Sequence, residues 1–188
     1  MSAVAKFTPD DFFLLSHGGK GYELVDGELK ESEMSFLSNY VAGRVCTRLS
    51  TFVEARNLGW VTPVGTSFRC FPDDEGRVRR ADTAFHRLDR LSVNQATTEG
   101  HCLIVPDLAV VIVSPKDRSY EVEEKWHEWL EAGAKLVWVI SPSSQSILAY
   151  DADGSIRWFR RNDVLTADPV LPDFRVPVAE LFRLPGTT

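Results

Sequence analysis

Two runs of consecutive apolar residues, separated by a helical pattern, constrain the possible fold of this chain more than any other feature. The first run, "LAVVIV", covers positions 108 to 113, and the second, "LVWVI", covers 136 to 140. Neither run alternates with polar residues, which is typical of strands buried on both faces. The segment from 120 to 132 has helical periodicity, and Gly133 ends it. Strand, helix and strand in this order predict a crossover unit with two neighbouring parallel strands.

The N-terminal part predicts a helix followed by a hairpin. In "TPDD", Thr8 can cap a helix, Pro9 suits the first turn, and the two aspartates favour the helix dipole. We expect this helix to end near the glycine pair at 18–19. The stretch "YELVDGELKE" at 22–31 then has two short extended runs around Asp26-Gly27, a pair that favours a tight hairpin turn.

The remaining segments complete a mixed sheet. Apolar residues recur every three or four positions from Leu37 to Val53, which predicts a long helix. Positions 60–86 have the pattern of paired strands joined by a turn, and "SILAYDADGSIRWFRR" at 146–161 predicts a second hairpin. We therefore predict one α/β domain over residues 1–188, in which helices flank a mixed central β-sheet.

Charge and composition narrow the function classes. The formal net charge of −6 argues against a general affinity for nucleic acid, because that affinity depends on Lys and Arg neutralising phosphates. A local basic stretch, "RVRRADTAFHRLDR", occupies 77–90, although such runs usually form a solvated strand and loop. The three cysteines stand too far apart for a zinc motif or a disulfide framework. Without a signal peptide or a long apolar span, we expect a soluble, cytoplasmic protein with no membrane partner.

Asp82 is the candidate metal ligand of the basic stretch. It stands in the strand-like segment "RRADTAF", where the flanking Arg79 and Arg80 could contact a phosphate backbone. A metal-dependent phosphodiesterase needs acidic oxygen ligands that converge on Mg²⁺. The alternative is that Asp82 forms an ordinary ion pair with Arg79 or Arg80.

Lys125 is the candidate cation of the second helix. Each helical residue advances about 100°, so the apolar residues form one stripe: Val122, Trp126, Trp129 and Leu130. The glutamates fall on the far side of the wheel: Glu121, Glu124, Glu128 and Glu131. Lys125 lies at the flank of the stripe, where its ammonium can reach the end of the preceding strand. The alternative is an ordinary ion pair with Glu121, one turn earlier.

The histidines do not indicate a metal site. His86 follows Asp82 by four residues, and His127 lies on the glutamate-rich side of its helix. Neither has a metal-ligand partner at a recognisable spacing. We expect the histidines to face solvent or to lie in loops.

Taken together, these segments resemble a large bacterial family of restriction-endonuclease-like proteins within the PD-(D/E)XK nuclease superfamily. The resemblance rests on the order and spacing of "YELVDGEL" at 22–29, "MSFLSNYVAGRV" at 34–45, "RRADTAF" at 79–85 and the stretch from "PDL" to "LVWVI" at 106–140. It covers almost the whole chain. It implies a restriction endonuclease-like fold that begins with a helix and a hairpin.

The resemblance also implies the site of a Mg²⁺-dependent DNA endonuclease. In such proteins a strand Asp and a Glu on the next strand hold Mg²⁺, a Lys positions the attacking water, and an N-terminal acid supports the site. Matched one by one, the strand Asp is Asp82, preceded by Ala81 where the family has Pro. The Lys is Lys125 and the N-terminal acid is Glu23. The metal-binding Glu falls at position 111, where this sequence has Val111.

Val111 has a physical consequence for the implied metal site. Mg²⁺ dehydrates reluctantly and is held mainly by charge, so the loss of one of two converging carboxylates weakens its binding. Asp107 lies four residues earlier, roughly 13 Å away along a strand. Asp117 and Glu121 follow the strand end, where reaching the site would require an unusual loop path. Ser38 also stands where many relatives carry His.

Three functional hypotheses follow. In the first, the chain is a catalytically impaired endonuclease-fold protein that retains DNA or partner binding. In the second, it is an active endonuclease that recruits Glu23 or Asp117 in place of the missing Glu. In the third, it is a structural or interaction protein whose basic stretch only forms salt bridges. We also expect a homodimer, because two symmetric sites would meet the two strands of DNA.

Overall fold

This computed structural model of the chain describes residues 6–32 and 34–186. Its helices are α1 (Pro9–Leu14), α2 (Phe36–Glu54), α3 (Val93–Ala96), α4 (Ser119–Glu131) and α5 (Val178–Phe182). The first six strands are β1 (Tyr22–Val25), β2 (Glu28–Glu31), β3 (Gly59–Pro63), β4 (Ser67–Phe68), β5 (Arg79–Arg80) and β6 (Thr83–Arg87). The other six are β7 (Leu108–Ile112), β8 (Leu136–Ser141), β9 (Ser146–Asp151), β10 (Ile156–Phe159), β11 (Val164–Ala167) and β12 (Leu171–Pro177).

The central sheet has six strands in the order β10-β9-β8-β7-β6-β3. Strands β7 and β8 run parallel, and α4 connects them, as the two apolar runs predicted. The other neighbours in this sheet pair antiparallel. The prediction of an α/β protein with a mixed central sheet flanked by helices is confirmed. Among the described residues, no helix is long and apolar enough to cross a membrane.

The N-terminal helix begins as predicted and ends earlier than predicted. The Thr8 hydroxyl accepts a hydrogen bond from Asp11 N, and the Asp11 carboxylate accepts one from Thr8 N. The helix ends at Leu14 rather than near the glycine pair, because Leu15 adopts an extended conformation and a short 3-10 turn follows at Ser16–Gly19. The hairpin β1–β2 then turns at Asp26-Gly27, both with positive φ, as predicted.

Strand β7 divides the core, because its successive side chains point to opposite faces of the sheet. Leu108, Val110 and Ile112 pack with α2, α5 and the β11–β12 hairpin. Ala109 and Val111 pack on the other face, where Trp129 of α4 is fully buried. The whole strand is buried, so the prediction of a strand covered on both faces is confirmed.

The N-terminal hairpin and α4 both pack near the end of β7. Leu24 of β1 exchanges two backbone hydrogen bonds with Val78, immediately before β5, at N···O distances of 2.9 and 2.8 Å. Helix α4 packs across β7 and β8 on the same side. Residues near positions 23, 79–82 and 125 therefore meet at one place, although about 100 residues separate the first from the last.

Candidate functional site

A cleft of ≈ 330 Å³ opens between the β1–β2 hairpin, β7 and α4. Among the described residues, six acidic side chains line it: Glu23, Glu31, Asp82, Asp117, Glu121 and Glu124. Three basic side chains of the same residues do so as well: Lys30, Arg79 and Lys125. Its apolar lining consists of Met34, Val111, Ile112 and Val122. The cleft therefore contains all four positions that the family resemblance implied, at 23, 82, 111 and 125.

Asp82 lies at the floor of the cleft, immediately before β6. It is 7% exposed, and its Oδ2 accepts a hydrogen bond from the backbone N of Ile112 at 2.6 Å. Burial raises the pKa of Asp82 to about 6, although the Lys125 charge and the Ile112 hydrogen bond oppose the shift. The nearby charges of Glu23 and Asp117 raise this pKa further. Asp82 therefore changes its protonation state close to neutral pH.

Glu23 and Lys125 form a buried ion pair. Lys125 Nζ lies 2.8 Å from Glu23 Oε1, and the two side chains are 13% and 6% exposed. Burial is the largest single influence on each group and favours its neutral form. The opposite charges and hydrogen bonds around the pair together outweigh it, so the pKa of Glu23 is lowered by Lys125, Arg79 and Arg80 N, and that of Lys125 is raised by Glu23 and Asp82. The alternative in which Lys125 pairs with Glu121 is not what the structure shows, since the ammonium is bound to Glu23.

Arg79 and Arg80 are anchored inside the protein. Arg79 bonds Glu23 at 3.1 Å and Glu128 at 2.6 and 2.8 Å. Arg80 donates from its guanidinium to the carbonyl oxygens of three segments: Gly18, Tyr22 and Gly65. The two residues are 4% and 8% exposed. The alternative in which Asp82 pairs with one of them is therefore wrong, and the expected solvated strand is buried instead.

These contacts bear on the predicted DNA contacts of Arg79 and Arg80. Each guanidinium uses three of its five N–H donors inside the protein, and each side chain is buried, so little of either is accessible to a phosphate. Their geometry therefore gives no support to a direct role in DNA binding. Arg79 joins β5 to the hairpin and α4, and Arg80 joins β5 to the hairpin and to the backbone at Gly18 and Gly65.

Asp117 and Glu121 reach the cleft, contrary to the expectation from their positions beyond the strand end. The chain turns sharply after β7: Asp117 N donates to Ser114 O at 3.0 Å, and Ser114 N donates to Asp117 Oδ2 at 2.8 Å. This turn directs the Asp117 carboxylate back to the site, and α4 starts at Ser119 directly above it. A tight turn between Ser114 and Asp117 thus takes the place of the unusual loop path that was expected.

Glu128 was placed on the far side of α4, and this prediction is wrong. Its carboxylate bonds Arg79, and its side chain is 12% exposed. Glu121, Lys125 and Glu128 are spaced by four and three residues, so they share the flank that faces the hairpin. That spacing can be read from the sequence, but the pairing of Glu128 with the buried Arg79 cannot.

Three further residues named from the sequence can be located in the structure. Asp107 lies away from the cleft, as predicted, where it accepts hydrogen bonds from Arg87 N at 2.9 Å and Arg90 at 3.0 Å. His86 is 1% exposed and stacks on Phe68, so the expectation of a solvent-facing or loop position is wrong for this histidine. Ser38 is buried, and its hydroxyl donates to Val113 O at 3.2 Å.

Val111 takes the place in the cleft where the resemblance implied a carboxylate. It lies between Val110 and Ile112 on β7, is 3% exposed, and packs in the apolar layer beneath α4. Asp82 stands next to it across the sheet, because Asp82 N donates to Val110 O at 2.8 Å. The floor of the cleft therefore holds one carboxylate and one apolar side chain.

The donor set of the cleft does not fit Mg²⁺, which takes several oxygen ligands in octahedral geometry. Both oxygens of Glu23 are bound, Oε1 to Lys125 and Arg80 N, and Oε2 to Arg79. One oxygen each of Asp82 and Asp117 is bound to a backbone N–H. Within residues 6–32 and 34–186, no group of three or more His, Cys, Asp or Glu side chains could hold a metal ion.

Comparisons with known proteins give a family match and matches among solved structures. The family model "Uma2: Putative restriction endonuclease" matches residues 9–179. Among solved structures, "a putative nuclease belonging to DUF820" from Anabaena variabilis matches with a TM-score of 0.75 and 17% identity, over 94% of this chain and 97% of that chain. At this identity the second match shows the fold alone. No curated protein gives a significant match.

Proposed function

The chain belongs to the Uma2 family, whose model is described as a putative restriction endonuclease, and from this premise we propose that it is an endonuclease-fold protein with an impaired catalytic site. Val111 is the observation that carries the proposal. Its apolar side chain lines the cleft together with Asp82 and Lys125, and a metal-dependent phosphodiesterase needs a second carboxylate there. The ion pairs that bind Glu23 remove the nearest substitute.

Each remaining residue has a defined role in this proposal. Lys125 and Arg79 neutralise Glu23, so that the cleft keeps its shape without a bound cation. Asp82 retains the position of the family's strand Asp and is the residue that would contribute a metal ligand. Its pKa of about 6 means that a cation must compete with a proton near neutral pH. We expect Mg²⁺ binding to be weak and cleavage of DNA to be slow or absent.

The test is to restore the carboxylate. We compare the native protein with Val111→Glu and with Val111→Gln, which introduces the same bulk without charge. Both variants disturb the apolar layer beneath α4, so their difference isolates the carboxylate. We expect Mg²⁺ to raise the melting temperature of Val111→Glu only, because a ligand that binds the folded state stabilises it. Mg²⁺ titration calorimetry and plasmid cleavage in Mg²⁺ and Mn²⁺ complete the comparison.

The result that contradicts impairment is equally clear. If the native protein cleaves plasmid DNA efficiently and Asp82→Ala abolishes the cleavage, the site works without the missing Glu. Adding Asp82→Ala to Val111→Glu should remove any gain in Mg²⁺ binding. A gain that survives this change would mean that the ion binds elsewhere.

A second candidate is an active endonuclease that uses Asp117 as its substitute acid. The observation in its favour is that Asp117 lines the cleft and that its charge raises the pKa of Asp82, so the two carboxylates interact. This reading predicts that the native protein cleaves DNA and that Asp117→Asn abolishes cleavage. Glu124→Gln is the matched control, because Glu124 lines the same cleft on an exposed part of α4.

DNA binding without cleavage is a separate part of the proposal. Lys116 and Arg118 are exposed on the turn between β7 and α4, beside the cleft, and Lys30 lines the cleft from the hairpin. We expect these three, rather than the buried Arg79 and Arg80, to contact phosphates. Replacing both Lys116 and Arg118 with Ser should weaken binding and reduce the salt dependence by about one phosphate contact per cation. A native protein that fails to bind DNA even at low salt would favour a purely structural role. A cytoplasmic location remains a prediction.

A further inference from the structure

The outer strand of the central sheet presents large apolar side chains to solvent. In the part of the chain that the structure describes, β10 pairs with β9 alone, so its outer edge has unpaired backbone groups. Ile156 and Trp158 are 59% and 57% exposed on one face of this strand. The other face is covered, because Arg157 reaches Thr166 of β11 at 2.9 Å and Asp151 at 3.0 Å.

The exposed face continues across the sheet to α4. In the β9–β10 ladder, Trp158 stands opposite Leu148 and Ile156 opposite Tyr150. The indole ring of Trp126 on α4 stacks on Tyr150 with 3.9 Å between ring centroids. Helix α4 therefore covers this face of the sheet as far as Tyr150 on β9. We call these five residues the β10 surface. Contiguous apolar surface of this kind on a protein commonly marks a contact with another protein.

The charges at the two ends of β10 have opposite sign. The turn before the strand carries the exposed Asp153, and the segment after it carries the exposed Arg160 and Arg161. Asp163 partly offsets these arginines, but its carboxylate accepts a hydrogen bond from Arg160 N at 2.7 Å. A strand that is acidic at its start and basic at its end complements a second copy that runs antiparallel to it. A parallel copy would oppose like charges.

From this edge, its apolar face and its charges, we propose that β10 pairs antiparallel with β10 of a second copy of this chain about a two-fold axis. A register centred on Arg157 places Ile156 opposite the partner's Trp158 on the exposed face. Arg157 then lies opposite the partner's Arg157 on the covered face, where Asp151 of the same copy pairs with each guanidinium at 3.0 Å and offsets their repulsion. The same register brings the turn that carries Asp153 next to the turn that carries the partner's Arg161, beyond the two ends of the paired strands. The apolar contact and the contact between the turns each occur twice, as a two-fold interface requires. The two central sheets then join into one, and neither metal binding nor DNA cleavage is needed for the contact.

The first experiment measures the mass of the full chain by sedimentation velocity over a range of protein concentrations. We expect a dimer whose dissociation constant rises at least about 30-fold in Trp158→Glu, since a central aromatic residue usually dominates such interfaces. Val93→Glu is the matched control, because Val93 is 65% exposed on α3, outside the β10 surface. A native chain that stays monomeric, or a dimer that Trp158→Glu leaves intact, would overturn the proposal.

The second experiment tests the register with charge reversals. Asp153→Arg and Arg161→Asp should each weaken the dimer about tenfold, because each creates two like-charge contacts per dimer. The double variant should regain most of the native affinity, since the attraction is restored with its sign reversed. If the double variant is as weak as the sum of the single changes, the antiparallel register is wrong. Circular dichroism of each variant shows whether these surface changes leave the fold intact.

Discussion

Glu23 and Asp82 are buried in the same cleft, yet their pKa values shift in opposite directions. Both are desolvated, which favours the protonated form of a carboxyl group. Glu23 has Lys125 at 2.8 Å and Arg79 at 3.1 Å, and these cations lower its pKa in spite of burial. Asp82 has one backbone hydrogen bond and two carboxylates nearby, so burial prevails and its pKa rises to about 6. As the pH falls, Asp82 therefore takes up a proton before Glu23 does.

The raised pKa of Asp82 predicts that Asp82→Asn stabilises the protein at neutral and alkaline pH. The carboxyl group titrates at about 3.8 in the unfolded chain and about 6 in the folded one. Between these values the folded state holds more protons, so the free energy of unfolding falls as pH rises. The shift corresponds to about 3 kcal/mol at most, at roughly 1.4 kcal/mol per pKa unit.

Urea denaturation of the native protein and Asp82→Asn at about pH 8 and about pH 3.5 measures this effect. We expect a gain of about 1–3 kcal/mol at the higher pH and little change at the lower one, where the native carboxyl is mainly protonated in both states. Asp89→Asn is the control, because the Asp89 side chain is 62% exposed. An equal effect of Asp82→Asn at both pH values would contradict the burial argument.

At the scale of elements, β3 depends on a glycine for its pairing with β6. A Cβ added to Gly59 would lie 1.9 Å from the carbonyl oxygen of His86, a backbone atom that cannot move without shifting β6. We expect Gly59→Ala to lower the free energy of unfolding by about 1–3 kcal/mol. Gly43 provides the contrast, because a Cβ there meets no atom within 4 Å and the residue lies inside α2.

The same measurement on Gly43→Ala should show a gain of up to about 1 kcal/mol, since Ala favours a helix interior more than Gly does. Both changes add one methyl group to the chain, so only the surroundings differ. Thermal denaturation followed by circular dichroism compares the two variants with the native protein. Similar effects of the same sign would show that the close approach of β3 to β6 does not constrain position 59.

The elements themselves were largely predictable from the sequence. Apolar runs and helical periodicity gave β7, α4, β8 and the parallel crossover, because these patterns depend on local spacing. The ion pairs were not predictable, since Glu23 meets Lys125 only after the hairpin docks through Leu24 and Val78. The turn that brings Asp117 into the cleft was also missed, because it depends on hydrogen bonds between backbone and side chain.

Across the whole molecule, the charged residues of the cleft serve as ties between distant segments. Glu128, Arg79, Glu23 and Lys125 form one chain of ion pairs that joins α4, β5 and the hairpin. Contacts within the fold therefore hold the walls of the cleft together. This arrangement accounts for a family fold that persists while Val111 stands in the place of an expected carboxylate. That residues 1–188 form one domain remains a prediction.

The strength of the buried Glu23–Lys125 ion pair can be compared with that of an exposed ion pair of similar length. Glu23–Lys125 spans 2.8 Å between side chains that are 6% and 13% exposed, while Arg48–Glu180 spans 2.6 Å between side chains that are 46% and 39% exposed. Both pairs join residues more than 100 positions apart. Water screens the exposed pair, so its shorter distance does not make it stronger.

A double-mutant cycle on each pair tests this prediction. The buried cycle uses Glu23→Gln, Lys125→Met and the double variant, and the exposed cycle uses Arg48→Met, Glu180→Gln and their combination. From urea denaturation we expect a coupling energy of at least about 1.5 kcal/mol for the buried pair and less than about 1 kcal/mol for the exposed pair. Removing one partner of the buried pair leaves a desolvated charge, whereas water solvates the charge left at the surface. Equal coupling energies would mean that Arg79 and Asp82 compensate fully for the lost partner, and that the cleft does not depend on the Glu23–Lys125 tie.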